Sequence, residues 1–482
     1  MKISFRPIHM ALAVGLVLTG PARADVVTDW NAQIRSAVDS MASESPYAAR
    51  DMALMHTAVY NAIESITNQY QIYSYGSYTG PTGSAAAGAN ISAAATSAAY
   101  TVMQSLFPTL AGPGGALETQ YNAHLTALGN SASVTAGLAW GQSVATEMIA
   151  WRSGDGASGA QSPYNVSGLG HWQPTDLNVQ QPLYPSWGDV TPYAISSASS
   201  VLPATPGTYN PNDASTTTLS AVMNGATNAT LTGYLTTATY AADYNEVKNL
   251  GSQSSLTRTA DQTEIAYFWA APAGTVTQPG MWNEIATDVS GAFNSTLEEN
   301  ARLFAALNVS LADAGIASYK AMYQTDLWRP TTAIAFESDI FNPDADNNPL
   351  TAGEAGWSPL ISTPNTPEYI ASQAAFGSAA SQVLAVFFGN NVNFSADSDI
   401  FGDGSFILTR NFTSFSQAAD EAAKSGLYGG NNFSSSIADA QAVGAAVGTD
   451  VLTNNFTPVP EPSGAILIAS IGFTMLLRRR RW

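Results

Sequence analysis

A mainly α fold with long irregular loops is predicted for this chain from three observations. Alanine-rich segments repeat apolar residues at helical spacing, and alternating strand-like stretches are few. There is no cysteine, so an apolar core rather than disulfides must hold the body together. The stretch AARDMALMHTAVYNAIE at 48–64 sets Met52, Met55, Val59 and Ile63 on one stripe, at the spacing i, i+3, i+7, i+11. Residues 87–106 read as an Ala/Ser-rich helix stopped by Pro108, and 131–152 as another that ends in the Gly-rich run 154–159. From 162 to 216, Pro, Gly, Ser and Tyr recur every few residues, which predicts a long surface excursion. Helical spacing returns at 235–250, 261–269, 281–307, 311–337, 366–388, 411–427 and 436–452. With neither repeats nor linkers, residues 25–456 are expected to form one helical unit, and 45% hydrophobic residues suffice for a large core.

Two terminal segments stand outside that body. Lys2 and Arg6, an apolar run over 10–20, and Ala22-Arg23-Ala24 before Asp25 follow the order of a secretion signal. Residues 1–24 are therefore expected to be removed on export. At the other end VPEPSG at 459–464 leads into AILIASIGFTMLL at 465–477 and four arginines at 478–481. A helix over 464–477 would extend about 21 Å, short of the ~30 Å hydrocarbon core, with its arginines held on the cytoplasmic side. This order of Pro-Glu-Pro, short apolar helix and basic cluster resembles the PEP-CTERM sorting signal. The resemblance implies handling of 457–482 by an exosortase-type membrane protease in a Gram-negative bacterium, and a final place at the cell surface or beyond it. A permanent anchor is the alternative.

Signal and tail together hold seven of the 17 basic residues and one of the 36 acidic ones, leaving the body ten against 35. A net charge near −25 excludes nucleic acid and anionic lipid as natural partners, because both need basic patches. It suits a protein that stays soluble outside the cell, among extracellular matrix components.

Seven phrases in one order carry a further resemblance. They are ARDMALMHTAVYNAI at 49–63, GHWQPT at 170–175, EVKNLGS at 246–252, RTADQTEIAYFW at 258–269, WNEIA at 282–286, LWRPTTAI at 327–334 and FSQAADEAAKSGLYGG at 415–430. Together they resemble the bacterial vanadium-dependent haloperoxidases and the related type 2 phosphatidic acid phosphatases. The resemblance implies a haloperoxidase-like helical bundle with one oxyanion site, carried by K-x6-R-P, P-S-G-H and S-R-x3-G-x-H motifs. A buried tetrahedral oxyanion needs several cationic donors, and histidines to bond its central atom and exchange protons.

Set against those motifs, the chain keeps Arg329-Pro330 but has Met322 at the lysine position. Lys320 is nine residues from Arg329, about 180° around a helix. The second motif falls on 370–373, with Ala371 for the serine, Ser372 for the glycine and Gln373 for the proton-exchanging histidine. The third falls on Ser425, Gly426, Gly430 and Asn432, with Gly426 in place of the arginine and Asn432 in place of the vanadium-bonding histidine. The four histidines are His9, His56, His124 and His171, so the C-terminal half supplies none. Arg329, Ser372 and Ser425 are the remnant of an oxyanion site, and Met322, Gln373, Gly426 and Asn432 are its degenerate positions. The expectation is a catalytically inactive haloperoxidase-like protein without a cofactor. The alternative is a divergent haloperoxidase or phosphatase that holds vanadate or phosphate with rearranged ligands, to which Lys424 could contribute.

Other candidates are weaker. His56 reads as a core or interface histidine, His124 as exposed and His171 as a loop histidine beside Trp172. Asp344, Asp346 and Asn348 imitate the start of a calcium loop, but Pro349 and Ala355 stand where glycine and glutamate belong. Asp397, Asp399 and Asp403 form a second acidic candidate. Trp187 in YPSWGD is a candidate sugar-facing ring. No P-loop, zinc spacing or GxSxG occurs.

Overall fold

The computed structural model describes residues 25–459 apart from 166–167, 176–180, 204–216, 227–228, 337–345 and 401–403. The proposed signal and nearly all of the proposed tail lie outside the described residues. Among those described, no helix is long and apolar enough to cross a membrane.

The chain first lays down α1 (Val26–Ser40), α2 (Ser45–Thr67), α3 (Ile91–Leu106), α4 (Ala116–Leu128) and α5 (Ala132–Arg152). The stretch after α5 holds three short 3-10 turns, Ala157–Gly159, Trp187–Asp189 and Ala198–Ser200. There follow α6 (Leu219–Met223), α7 (Leu231–Leu235), α8 (Ala238–Gly251), α9 (Ala260–Phe268), α10 (Thr277–Ala292) and α11 (Leu297–Thr325). The last group is α12 (Pro330–Phe336), α13 (Ser372–Phe388), α14 (Phe415–Tyr428) and α15 (Ser434–Asn454), with an antiparallel hairpin of β1 (Phe394–Asp399) and β2 (Ile407–Phe412) before α14. The helices α2, α3 and α5 pack together on one side and α13, α14 and α15 on the other, with α11 against both α2 and α13. One continuous apolar core runs through both groups.

Two expectations need correction. The helical segments expected at 281–307 and 311–337 break elsewhere. The chain turns at Asn294, φ 55°, and restarts at a reciprocal cap in which Thr296 and Glu299 bond each other's backbone N–H. From there α11 runs 29 residues without interruption. Asn308, in the gap left between the two expected segments, has a partner: Asn308 and Asn283 exchange amide bonds of 2.8 and 2.7 Å across α10 and α11. The expected helix over 411–427 starts later, because 407–412 pairs with 394–399 as a strand. The helices α1 and α4 were not read from the sequence, although α1 buries Val27, Trp30, Ile34 and Val38 in one stripe.

The irregular excursion is fastened by charge. Asp313, fully buried in α11, accepts the backbone N–H groups of Tyr193, Ala194 and Ile195 at 2.6–3.0 Å. Arg152 donates to the carbonyls of Thr191 and Pro192, and shares Asp155 with Arg50. Burial pushes Asp313 up to about 6, opposed by its three backbone donors. His56 belongs to the same interior: it lies 3.0 Å from the Asn31 amide oxygen, stacks on Phe304, and is pushed down to about 3 by burial. It is a neutral core residue.

Asp313→Ala leaves three buried N–H groups without acceptors, so it is expected to cost about 3 kcal/mol or more of unfolding free energy in a urea titration. A loss within experimental error would show that the excursion is held by its apolar contacts alone.

Candidate functional site

The site is built where α11 ends. Asp326 caps that helix in the left-handed region, φ 58°, its N–H bonding the Met322 carbonyl. The residue before a proline is sterically kept from helical geometry, so Arg329 ends the segment between α11 and α12 rather than joining α12.

Arg329 is 2% exposed. Its Nε donates to the Thr366 carbonyl at 2.8 Å, Nη2 to the Thr366 hydroxyl at 2.6 Å and Nη1 to the Asn431 carbonyl at 3.0 Å. Close to it lies Glu368, fully buried, whose charge opposes the effect of burial on the guanidinium. Glu368 Oε1 accepts the Asn432 side-chain amide and the Phe433 N–H, both at 3.0 Å. Phe433 is the N-cap of α15, so the carboxyl also sits at the positive end of a 21-residue helix. Burial pushes Glu368 up to about 7, countered by Arg329, Asn432 and Phe433.

The structure brings some expected positions together and separates others. Gly426 and Asn432 touch: a Cβ on Gly426 would stand 2.5 Å from the Asn432 amide oxygen. The space an arginine side chain would enter is thus occupied by Asn432. Asn432 reaches Arg329 through Glu368. Met322 packs in a small apolar cluster with Trp187, Ile316 and Tyr319, so the lysine position offers no cation. Gln373 turns its amide to the Trp269 carbonyl. Ser372 opens α13, half-buried, and Ser425 donates back to the Ala422 carbonyl at 2.6 Å, and neither hydroxyl accepts from Arg329, whose N–H groups go to Thr366 and Asn431. Lys320 pairs with Asp189 at the surface, and Lys424 is exposed, which removes it as a substitute cation.

The calcium candidates also resolve. Asp344 and Asp403 lie outside the described residues. Asp346 accepts the Asn348 N–H and the Thr351 hydroxyl, while Asn348 donates to the Leu235 and Thr237 carbonyls, so this pair stitches a loop to α7 and α8. Asp397 takes the Thr409 hydroxyl across the hairpin and Asp399 the Gly404 N–H. Among the described residues no three His, Cys, Asp or Glu side chains form a metal-binding group. Trp187 is 1% exposed, which excludes it as a sugar-facing ring. His124 is half-buried rather than exposed, 2.9 Å from Gln120.

Glu368 is the site residue that sequence reasoning missed. Its signal was present, a lone acid between Pro367 and Tyr369 just before the second motif, but the motifs direct attention to cations and imidazoles. With it in place, a tetrahedral dianion does not fit the donors. The guanidinium bonds Thr366 and Asn431, its charge faces a carboxyl, and none of the described histidines is a partner of Arg329 or Glu368.

Comparison with known proteins agrees with this architecture. Residues 302–458 match the family model described as the VCPO second helical-bundle domain. A 150-residue stretch is 26% identical to vanadium chloroperoxidase of Curvularia inaequalis; it covers 29% of this chain and about a quarter, 25%, of that relative's length. Among solved structures, the first bacterial vanadium-dependent iodoperoxidase superposes with a TM-score of 0.70 at 22% identity, covering 90% of this chain and 97% of the other. The holo form of a bacterial vanadium-dependent chloroperoxidase gives 0.57 at 14% identity, covering 85% and 93%. The chain has the helical fold of the bacterial vanadium-dependent haloperoxidases, and its residues 302–458 match the second helical-bundle domain of that family.

Proposed function

We propose that this chain is an exported, surface-sorted haloperoxidase-like protein whose oxyanion chemistry is silent, and that it acts by binding or as structure. The observation that carries this is the state of Arg329. It is the one cation retained from the motifs, it is buried, and its charge and N–H groups are answered by Glu368, Thr366 and Asn431. A doubly charged oxyanion entering such a pocket would meet one positive charge already countered, and the cost of removing it from water would not be recovered. Peroxide activation or phosphoryl transfer also needs a proton-exchanging group, and Gln373 and Asn432 do not titrate near neutrality. Export and sorting rest on the ordered parts of the two terminal segments and on the strongly acidic body.

Full chain incubated with vanadate, bromide and hydrogen peroxide, and separately with a phosphate monoester, is expected to give no turnover above a protein-free control. Turnover that Arg329→Ala abolishes would overturn the silent reading and establish rearranged ligands instead.

Glu368 supplies a second expectation. Its pKa near 7 lies above the ordinary glutamate value of 4.5, so the folded chain holds a proton there that the unfolded chain releases. That contribution to stability is complete below about 4.5 and disappears as pH rises through about 7. Glu368→Gln removes the titration, so its melting temperature relative to wild type should climb between pH 5 and pH 8 (about one unit outside the window on the alkaline side). A difference that stays constant with pH would show that Glu368 does not titrate in this range.

A further inference from the structure

The excursion after α5 brings an imidazole to the segment that carries Arg329. His171 Nδ1 lies 2.7 Å from Asp326 Oδ2, and the Tyr164 hydroxyl donates to Asp326 Oδ1 at 2.5 Å. The backbone locks both partners. His171 bridges Leu327, the Trp172 N–H bonds the Asp326 carbonyl at 2.9 Å, and the Trp328 N–H bonds the Gly170 carbonyl at 2.8 Å. Asp326 is itself pinned as the left-handed cap of α11. A carboxylate only accepts, so its contact places the ring proton on Nδ1 and leaves the Nε2 lone pair for other use. The His171 side chain is 35% exposed against 8% for Asp326, and Nε2 has no hydrogen-bond partner among the described residues. Neither other described histidine matches this. His56 is buried and His124 has its Nε2 beside Gln120.

We propose that His171 is a nucleophilic centre for acyl transfer from neutral aryl esters, with Asp326 as its positioning residue and Tyr164 holding Asp326. A backing carboxylate orients the ring and stabilises the charge it gains on attack. Neutral substrates are selected because the body is strongly acidic and Asp326 itself repels anions. Tyr164, half-buried and edge-on to the buried Trp172 ring at 6.4 Å, is the aromatic side chain beside the pair that an aryl group would meet. In the first step Nε2 bonds the carbonyl carbon, the C–O bond breaks and the aryloxide leaves with its electron pair. In the second, water adds to the acyl-imidazolium, Nε2 departs with the bonding pair, and the carboxylic acid and one proton are released, the proton converting the aryloxide to phenol. Ester and water thus become acid and phenol with the ring regenerated. This centre does not use Arg329, and stands whether or not the oxyanion pocket is silent.

The full chain is offered p-nitrophenyl acetate and release of p-nitrophenolate is followed. His171→Gln, which keeps a donor toward Asp326, is expected to remove the protein-dependent rate by about tenfold or more. Asp326→Asn should slow it and displace its pH profile, with Asp326→Glu restoring part of both. Mass spectrometry of chain quenched during turnover should find the acetyl group on His171. Full activity in His171→Gln, or acetyl found only elsewhere, overturns the proposal. If a variant fails to fold, acetyl mapping on the wild-type chain alone decides it.

Discussion

A guanidinium taken out of water must be answered where it lies, because neither solvent nor distant charge can compensate it at low dielectric. Arg329 is in that position, and the surrounding segments are arranged around the answer. Thr366 and Asn431 come from chain stretches far apart in sequence, and both present oxygen to the guanidinium. Glu368 adds a carboxyl that also caps α15, so one side chain balances a buried cation and a helix end at once. The same logic recurs at Asp313, where a buried carboxylate gathers three backbone N–H groups and fastens a long irregular segment to the central helix.

Much of the architecture was legible from pattern. The buried stripe of α2 contains Met52, Met55, Val59 and Ile63 as the spacing required, and α5, capped by Ser131, covers the helix expected over 131–152. Helix boundaries near polar residues were less legible. The expected segments stopped short of Asn308, whose partner Asn283 stands on another helix and is invisible to local periodicity. The hairpin was missed for a related reason: 407–412 is held as a strand by pairing with 394–399.

The site was legible only in what it had lost. Motif positions identified Arg329, and indeed Gly426 and Asn432 meet in space. Motif spacing placed Met322 at the lysine position but not in its apolar cluster, since a helix position says which way a residue faces but not what covers it. Glu368 escaped because its role follows from tertiary contact with Arg329, and the pairing of His171 because its carboxylate lies 155 residues away. Charge pairs between distant segments are what sequence reading sees least.

The central claim, that Arg329 is neutralised by the chain itself, is tested most directly by a crystal of the full chain soaked in vanadate. The account expects no tetrahedral ion at Arg329, with Glu368 and Asn432 keeping their contacts. An ion held against that guanidinium and bonded to a nitrogen ligand would contradict it.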